Sequence, residues 1–162
     1  MAIPRRHVTP DHIRNASRTF FVTTKTTMGK AVLQTDRNAA LLVDVLRRCV
    51  ASKRFILHDF VIMPNHIHLL LELGSDISIE KAIQYVKGGF SFRMKRENGY
   101  RGEIWQRGFS EVRILDEISF CRHREYIAQN PVTAGLVSAP EEFRWSYTWL
   151  AAHKTGAKAQ QC

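Results

Sequence analysis

The stretch Phe60-Val-Ile-Met-Pro-Asn-His-Ile-His-Leu-Leu-Leu-Glu-Leu73 decides the fold, because it predicts two buried strands joined at Pro64-Asn65. Side chains alternate between the two faces of a strand. His66 and His68 should therefore point the same way, with Ile67 on the opposite face. Two imidazoles in this arrangement can bind one divalent ion. The alternative is a pair of core histidines bonded to the backbone.

The rest of the chain alternates strand patterns with helix patterns. The predicted helices begin near Asp36, Ser78 and Asp116. The order is β-α-β-β-α-β followed by more helix, which predicts an α+β fold. We expect a ferredoxin-like (RRM-like) antiparallel sheet with helices packed on it, plus a short C-terminal helical extension. The predicted strands cover residues 19–26, 54–63, 66–73, 103–105 and 109–115.

The helix that begins near Asp116 carries a polar stripe. It is predicted to end near Asn130, because the residue before Pro131 avoids the α region. At 100° per residue, Tyr126 and Asn130 lie one above the other, on the stripe that also holds His123. An oxygen nucleophile beside a carboxamide metal ligand would have this spacing. The alternative for Tyr126 is an ordinary aromatic residue of an amphipathic helix.

Length and charge indicate one domain that binds a polyanion. The chain has 162 residues, 44% of them hydrophobic, and a net charge of +9. We expect an arm at 1–17, a domain at 18–150 and a loose tail at 151–162. Trp105 could stack on an unpaired base or be a core aromatic. The residues predicted to contact a nucleic acid are Arg93, Lys95, Arg96, Arg101, Trp105, Arg122 and Arg124.

Several other classes of protein are disfavoured by the sequence. Cys49, Cys121 and Cys162 have no close spacing, so they predict neither a zinc site nor a disulfide framework. There is no apolar leader segment and no apolar run of membrane-spanning length. These features predict a cytoplasmic protein with no membrane partner, associated with the nucleoid when bound to DNA.

Four motifs, in order, resemble those of a known family. The triplet His66-Ile67-His68 looks like the HUH motif of single-tyrosine, IS200-like transposases. The remaining motifs resemble the subgroup of REP-associated tyrosine transposases, often called RAYTs. The resemblance runs from about Arg18 to Trp149. The four motifs are residues 63–70, 104–106, 126–137 and 145–147. The third of them resembles the nucleophile helix and exit loop of the subgroup.

The resemblance implies a site and a reaction. It implies Tyr126 as the nucleophile and His66, His68 and Asn130 as ligands of a divalent metal, Mg²⁺ or Mn²⁺. Gln129 is the fallback ligand, although it lies about 100° around the helix from Asn130. The family implies an HUH endonuclease domain that cleaves and rejoins single-stranded or hairpin DNA through a 5′-phosphotyrosine intermediate. A monomer is favoured over a homodimer.

Two other functions remain open from the sequence. The first is a catalytically inactive nucleic-acid-binding module of the same fold, since basic and aromatic residues on such a sheet also bind RNA. The second is a metal-dependent hydrolase that uses His66 and His68 to activate water. That enzyme would need another strong ligand, for which His58 and His123 are the candidates.

Overall fold

The computed structural model describes residues 18–153, so the predicted arm and residues 154–162 of the predicted tail lie outside the described residues. The strands are β1 (Arg18–Lys25), β2 (Ile56–Met63), β3 (His66–Leu73) and β4 (Ser110–Ile114). The helices are α1 (Asp36–Ala51), α2 (Ile79–Asn98), α3 (Glu117–Thr133) and α4 (Tyr147–Ala152). Short 3-10 turns lie at Thr27–Gly29 and Pro140–Glu142.

The strands form one antiparallel sheet in the order β2-β3-β1-β4. This order, with helices packed on the sheet, confirms the predicted α+β, ferredoxin-like fold. The larger core lies between the sheet and the pair α1 and α2, and a smaller apolar cluster lies under α3. Within residues 18–153, no helix combines the length and apolar character needed to cross a membrane.

The two faces of β3 enter different cores because strand side chains alternate. Ile67, Leu69 and Leu71 belong to the larger core and have no exposed surface. Leu70 belongs to the smaller cluster, together with Ile127 of α3. His66 and His68 share the face of Leu70, so they lie on the side of the sheet that α3 covers.

The turn between β2 and β3 is fixed by neighbouring backbone. The amide of Thr26 donates to the carbonyl oxygen of Asn65 over 2.9 Å, and its hydroxyl lies within hydrogen-bond distance of the carbonyl oxygens of Lys30 and Asn65. The amide of Leu33 donates to the carbonyl oxygen of Pro64 over 2.9 Å. These bonds hold the first residue of β3, His66, beside the end of β1.

Two details of the predicted secondary structure were wrong. Helix α3 continues past Asn130 to Thr133, with Pro131 inside it. The proline ring removes one amide donor in the last turn, while the amide of Ala134 still bonds to the carbonyl oxygen of Asn130. Residues 103–105 form no strand, because Trp105 makes only an isolated bridge to Thr26.

The predicted helix starts agree closely with the structure. The side chains of Ser78 and Asp116 accept hydrogen bonds from the first turns of α2 and α3, as N-caps do. The cap of α1 is Thr35, and Asp36 is the first helical residue.

Candidate active site

His66 and His68 lie side by side at the end of the sheet, in a cleft covered by α3. Their ring centroids are 4.8 Å apart. Tyr126 and Asn130 approach the cleft from α3. The cleft has a volume of about 550 Å³ and is also lined by Thr23, Lys25, Gly29, Asn65 and Ser110. The structure therefore brings together the four residues that sequence reasoning placed at the nucleophile and the metal.

His68 is held in a form that can bind a metal. Its Nδ1 lies 2.8 Å from the hydroxyl of Thr23, and its side chain is 4% exposed. Burial, together with the charges of His66 and Lys25, lowers the pKa of His68 to about 3. The imidazole is therefore neutral at pH 7. With Nδ1 bonded to the hydroxyl, Nε2 can present its lone pair to the cleft.

His66 is oriented by the residue before it. Its Nδ1 lies 2.7 Å from Oδ1 of Asn65, and an amide oxygen accepts hydrogen bonds without donating them. Nδ1 must therefore carry the proton, which leaves a lone pair on Nε2. Burial lowers the pKa of His66, while the nearby amide side chain of Asn130 opposes this shift. Both imidazoles thus favour the neutral form that metal ligands need.

Two buried atoms of the cleft have unmet bonding capacity. Among residues 18–153, the buried side-chain polar atoms without a hydrogen-bond partner are Nε2 of His68, Oδ1 of Asn130 and Oγ1 of Thr24. Leaving such a group unsatisfied costs about 1–3 kcal/mol. The first two belong to the cleft and are atoms that coordinate divalent cations. The residues present therefore fit a metal ion.

The histidine pair has no acidic or thiol ligand beside it. In the described part of the chain, no three His, Cys, Asp or Glu side chains cluster closely enough to hold a metal ion. The ligand set available is two imidazole nitrogens and one amide oxygen. Such a set leaves coordination positions for oxygen atoms of water or a phosphate, as Mg²⁺ and Mn²⁺ prefer.

Tyr126 combines firm support with access to the cleft. Its ring packs edge-on against Phe21 and His68, with centroid distances of 5.8 and 5.3 Å. The next residue, Ile127, is buried in the smaller core and anchors the helix. Tyr126 remains 52% exposed, so its hydroxyl is open to a large substrate.

A buried ion pair attaches the tyrosine helix to the sheet. Arg124 of α3 donates from Nε to Oδ2 of Asp59 on β2 over 3.3 Å. Asp59 is 3% exposed, and burial raises its pKa to about 6 although Arg124 acts in the opposite direction. Sequence reasoning missed Asp59, because no local pattern indicates which cation faces it across the fold.

The basic residues predicted to bind DNA divide into two groups. Arg93 pairs with Asp44 and Glu97, and Arg124 pairs with Asp59, so both guanidinium groups are engaged within the protein. The other four are exposed: Lys95, Arg96, Arg101 and Arg122. Lys95 and Arg101 line a separate cleft of about 550 Å³ with Tyr100. Their contacts with DNA stay predictions.

Trp105 occupies the core position, one of the two alternatives considered for it. It is 7% exposed, packs on Phe90 and donates from Nε1 to the carbonyl oxygen of Lys87 over 3.1 Å. Little of the indole is available to a base in this conformation. Stacking of DNA on Trp105 would require the loop after α2 to move.

The reserve ligands considered from the sequence lie outside the cleft lining. His58 bonds from Nε2 to Glu72 over 2.7 Å. Nδ1 of His123 bonds to the carbonyl oxygen of Ser119 over 2.7 Å, although its ring contacts Phe21. Gln129 donates to Glu125 over 3.4 Å. Asn130 is therefore the α3 amide best placed to join the two histidines.

Sequence reasoning also missed Thr23 and Lys25 in the cleft. Thr23 pairs with His68, and Lys25 pairs with His66, across the β1–β3 ladder. Directly opposed residues of an antiparallel pair lie on the same face. The alternation within β1 was visible in the sequence, but its register against β3 was not.

Comparisons with known proteins identify a family and a fold for this chain. The family model described as "Transposase IS200 like" matches residues 14–130. A Haemophilus influenzae protein named as a REP-associated tyrosine transposase is 34% identical over 97 residues, 54% of either chain. A second, uncharacterized protein of that organism is 29% identical over 96 residues, 46% of this chain and 53% of its own. The chain spans about half the length of these curated relatives.

Solved structures support the fold. A REP-associated tyrosine transposase bound to a REP hairpin matches with a TM-score of 0.72, covering 100% of this chain and 92% of its own, at 21% identity. A Deinococcus radiodurans protein described as a transposase matches with a TM-score of 0.54, covering 74% of this chain and 95% of its own, at 21% identity.

Proposed function

The chain belongs to the IS200-like transposase family, and we propose that it is a metal-dependent single-stranded DNA endonuclease and strand transferase that forms a covalent 5′-phosphotyrosine intermediate. One observation carries the proposal. Nε2 of His68 and Oδ1 of Asn130, both buried and unpartnered within residues 18–153, line one cleft with the accessible Tyr126. A core site would have satisfied these atoms, whereas a metal site keeps them available.

The metal would be held by His66, His68 and Asn130. When bound, a divalent ion such as Mg²⁺ or Mn²⁺ acts as a Lewis acid on the scissile phosphate. The second contacts of the histidines, to Thr23 and Asn65, fix which ring nitrogen faces the cleft. Burial keeps both imidazoles neutral, so protons do not compete for these nitrogens at pH 7.

Tyr126 would attack the phosphorus atom. A phenol is a weak nucleophile at neutral pH, so its position beside the phosphate matters more than its basicity. The Tyr126 oxygen forms a bond to phosphorus while the bond from phosphorus to the 3′-oxygen breaks. The phenolic proton is lost and the leaving oxygen gains one, which gives a free 3′-hydroxyl. Rejoining is the reverse reaction with another 3′-hydroxyl.

The proposed substrate is hairpin or single-stranded DNA. The net charge of +9 suits a polyanion, and the structural neighbour that covers the whole chain is described as bound to a REP hairpin. Residues 18–150 would act as one domain, as a monomer, in the cytoplasm at the nucleoid. Binding should weaken steeply as salt rises, because each phosphate contact releases counterions.

An inactive binding module is the second candidate. It is favoured by the ligand set, because no group of three His, Cys, Asp or Glu side chains that could hold a metal ion occurs within residues 18–153. The hydrolase is disfavoured, since His58 and His123 are bonded elsewhere and do not line the cleft.

A denaturing gel tests the proposal. The protein is incubated with labelled single-stranded hairpin oligonucleotides and Mn²⁺, and a protein band that carries the label is expected. Tyr126→Phe keeps the ring and should bind the DNA without forming this band. Tyr85→Phe is the matched control, because Tyr85 lies on α2 outside the clefts, and it should behave as the wild type. An adduct in Tyr126→Phe would refute the assigned nucleophile, and no adduct in the wild type would favour the binding module.

A further inference from the structure

We propose that Lys25 is a catalytic residue that binds the scissile phosphate and directs the adjoining strand from the active-site cleft toward Arg107. This inference rests on the proposed function, since it names a further residue of the same reaction. Neither the family motifs nor the pattern of the sequence pointed to this lysine.

The position of Lys25 follows from the register of β1. It is the last residue of the strand and pairs with His66, on the face that carries His68. Two residues earlier, Thr23 contacts His68. Lys25 therefore lies at the rim of the cleft, where its flexible side chain can extend over the metal ligands.

Lys25 also belongs to a second cleft that continues from the first. The active-site cleft and a neighbouring cleft of about 210 Å³ share Thr23, Lys25 and Ser110 as a common wall. The second cleft is completed by the loop 106–109. A strand that passes Tyr126 can thus run over Lys25 and along this loop without leaving the protein surface.

The loop that completes the second cleft is held in place by a lysine of α2. Nζ of Lys87 donates to the carbonyl oxygens of Gln106 and Gly108, each over 2.9 Å. These bonds occupy the charge of Lys87 and leave Arg107, between the two carbonyls, exposed. Lys87 therefore has a structural role, whereas the exposed groups of Lys25 and Arg107 can bind phosphates.

Lys25 forms no ion pair with the residues that the structure describes. None of the ion pairs formed within residues 18–153 includes it. Its field reaches both imidazoles and contributes to lowering the pKa values of His66 and His68. In the free protein, a cation at this position repels a metal ion and weakens its binding. It becomes favourable when a phosphate lies between the two positive charges.

The ammonium group of Lys25 would act through its charge and its position, and not as an acid or base. As the bond from Tyr126 to phosphorus forms and the bond to the 3′-oxygen breaks, charge develops on the non-bridging oxygens. An ammonium group that contacts one of them stabilises this state without transferring a proton. Lys25 then has opposite effects on two measurable quantities: it weakens metal binding by the free protein and accelerates cleavage.

The first test compares three substitutions on an oligonucleotide that the wild type cleaves. Lys25→Met should lower the single-turnover cleavage rate about 100-fold while binding Mn²⁺ alone at least as tightly as the wild type. Lys25→Arg should restore about a tenth of the rate or more. Lys30→Met, an exposed lysine outside both clefts, is the matched control and should change the rate less than about threefold.

The second test replaces the scissile phosphate by an uncharged methylphosphonate and measures binding in EDTA. The replacement should weaken binding to the wild type about tenfold and binding to Lys25→Met hardly at all. Equal losses of binding affinity in both proteins, or cleavage by Lys25→Met at the wild-type rate, would refute the role of Lys25. Either result would leave the proposed function standing. Loss of Mn²⁺ binding in Lys25→Met would also refute the role of Lys25. A wild type that cleaves no oligonucleotide would overturn the proposed function, and this inference with it.

Discussion

The two faces of β3 differ in what they do for the molecule. On one face, Ile67, Leu69 and Leu71 are fully buried against α1 and α2. On the other face, His66 and His68 line a cleft, and one ring nitrogen is left without a partner within the described residues. The same strand therefore supplies the stability of the fold and the ligands of the site. A period of two residues is enough to separate these tasks.

The helices on the two faces differ in the same way. Helix α1 buries seven side chains, whereas α3 buries Ile127 and Pro131. Helix α3 is attached by this small apolar contact and by the pair of Arg124 with Asp59. The face that carries the site thus has less packing energy, and polar groups determine the position of its helix.

The largest effect on stability is expected on the packed face. Leu69→Ala removes a fully buried side chain and should lower the free energy of unfolding by about 4 kcal/mol. Urea unfolding measures this loss. Leu115→Ala, at an exposed leucine, should change stability by less than about 0.5 kcal/mol. If the two substitutions had similar effects, β3 would not be a core strand.

A smaller effect, visible in its pH dependence, is expected at the attachment of α3. The pKa of Asp59 is about 6 in the folded state and 3.8 ordinarily. The folded state therefore binds the proton more tightly, and the contribution of Asp59 to stability falls as pH rises from about 4 to 6. The shift corresponds to roughly 3 kcal/mol.

Asp59→Asn removes this titration. The stability of the variant relative to the wild type should rise by roughly 2 kcal/mol between pH 4 and pH 7, measured by urea unfolding at several pH values. Asp44→Asn is the control. Arg93 holds the pKa of Asp44 below its ordinary value. The difference in unfolding free energy between Asp44→Asn and the wild type should therefore be nearly constant above pH 4. If the stability difference between Asp59→Asn and the wild type did not change with pH, the raised pKa of the buried Asp59 carboxyl would be refuted.

The smallest effect is expected where the cleft leaves a nitrogen unsatisfied. His68→Leu should change stability by less than about 1 kcal/mol in metal-free buffer, because the gain from removing Nε2, unpartnered within residues 18–153, is offset by the loss of the bond between Nδ1 and Thr23. It should abolish Mn²⁺ binding, with DNA binding largely retained. Thr24→Val is a matched control, because its buried hydroxyl is also unpartnered in the described part of the chain but lies outside the cleft. It should raise stability by about 1 kcal/mol, since no bond is lost, and leave cleavage unchanged. Destabilisation by more than about 2 kcal/mol, or retained Mn²⁺ binding, in His68→Leu would indicate a structural histidine.

The sequence predicted what depends on local periodicity. The strands around Pro64-Asn65, the shared face of His66 and His68, and the stripe of Tyr126 and Asn130 all follow from repeats of 2 and 3.6 residues. The helix end at Pro131 was missed, because a local steric rule was outweighed by packing of the last turn. Loop 103–105 was missed because its apolar residues enter the core without a ladder.

The remaining features depend on contacts between distant parts of the chain. Lys25 enters the site only through the register of β1 against β3. Asp59 meets Arg124 only once α3 lies on the sheet. Neither register nor helix placement is encoded in a single local pattern, so these residues could be identified only in the folded structure.

The most direct measurement maps the covalent DNA adduct on the protein. Trypsin cleaves after Arg124 and Arg144, so Tyr126 lies on a peptide, residues 125–144, with no other tyrosine. After reaction with a cleaved hairpin oligonucleotide and nuclease trimming, mass spectrometry should find the nucleotide adduct on this peptide, with its formation dependent on Mn²⁺. An adduct on the peptides that carry Tyr85, Tyr100 or Tyr147, or an adduct that forms equally in EDTA, would contradict the account.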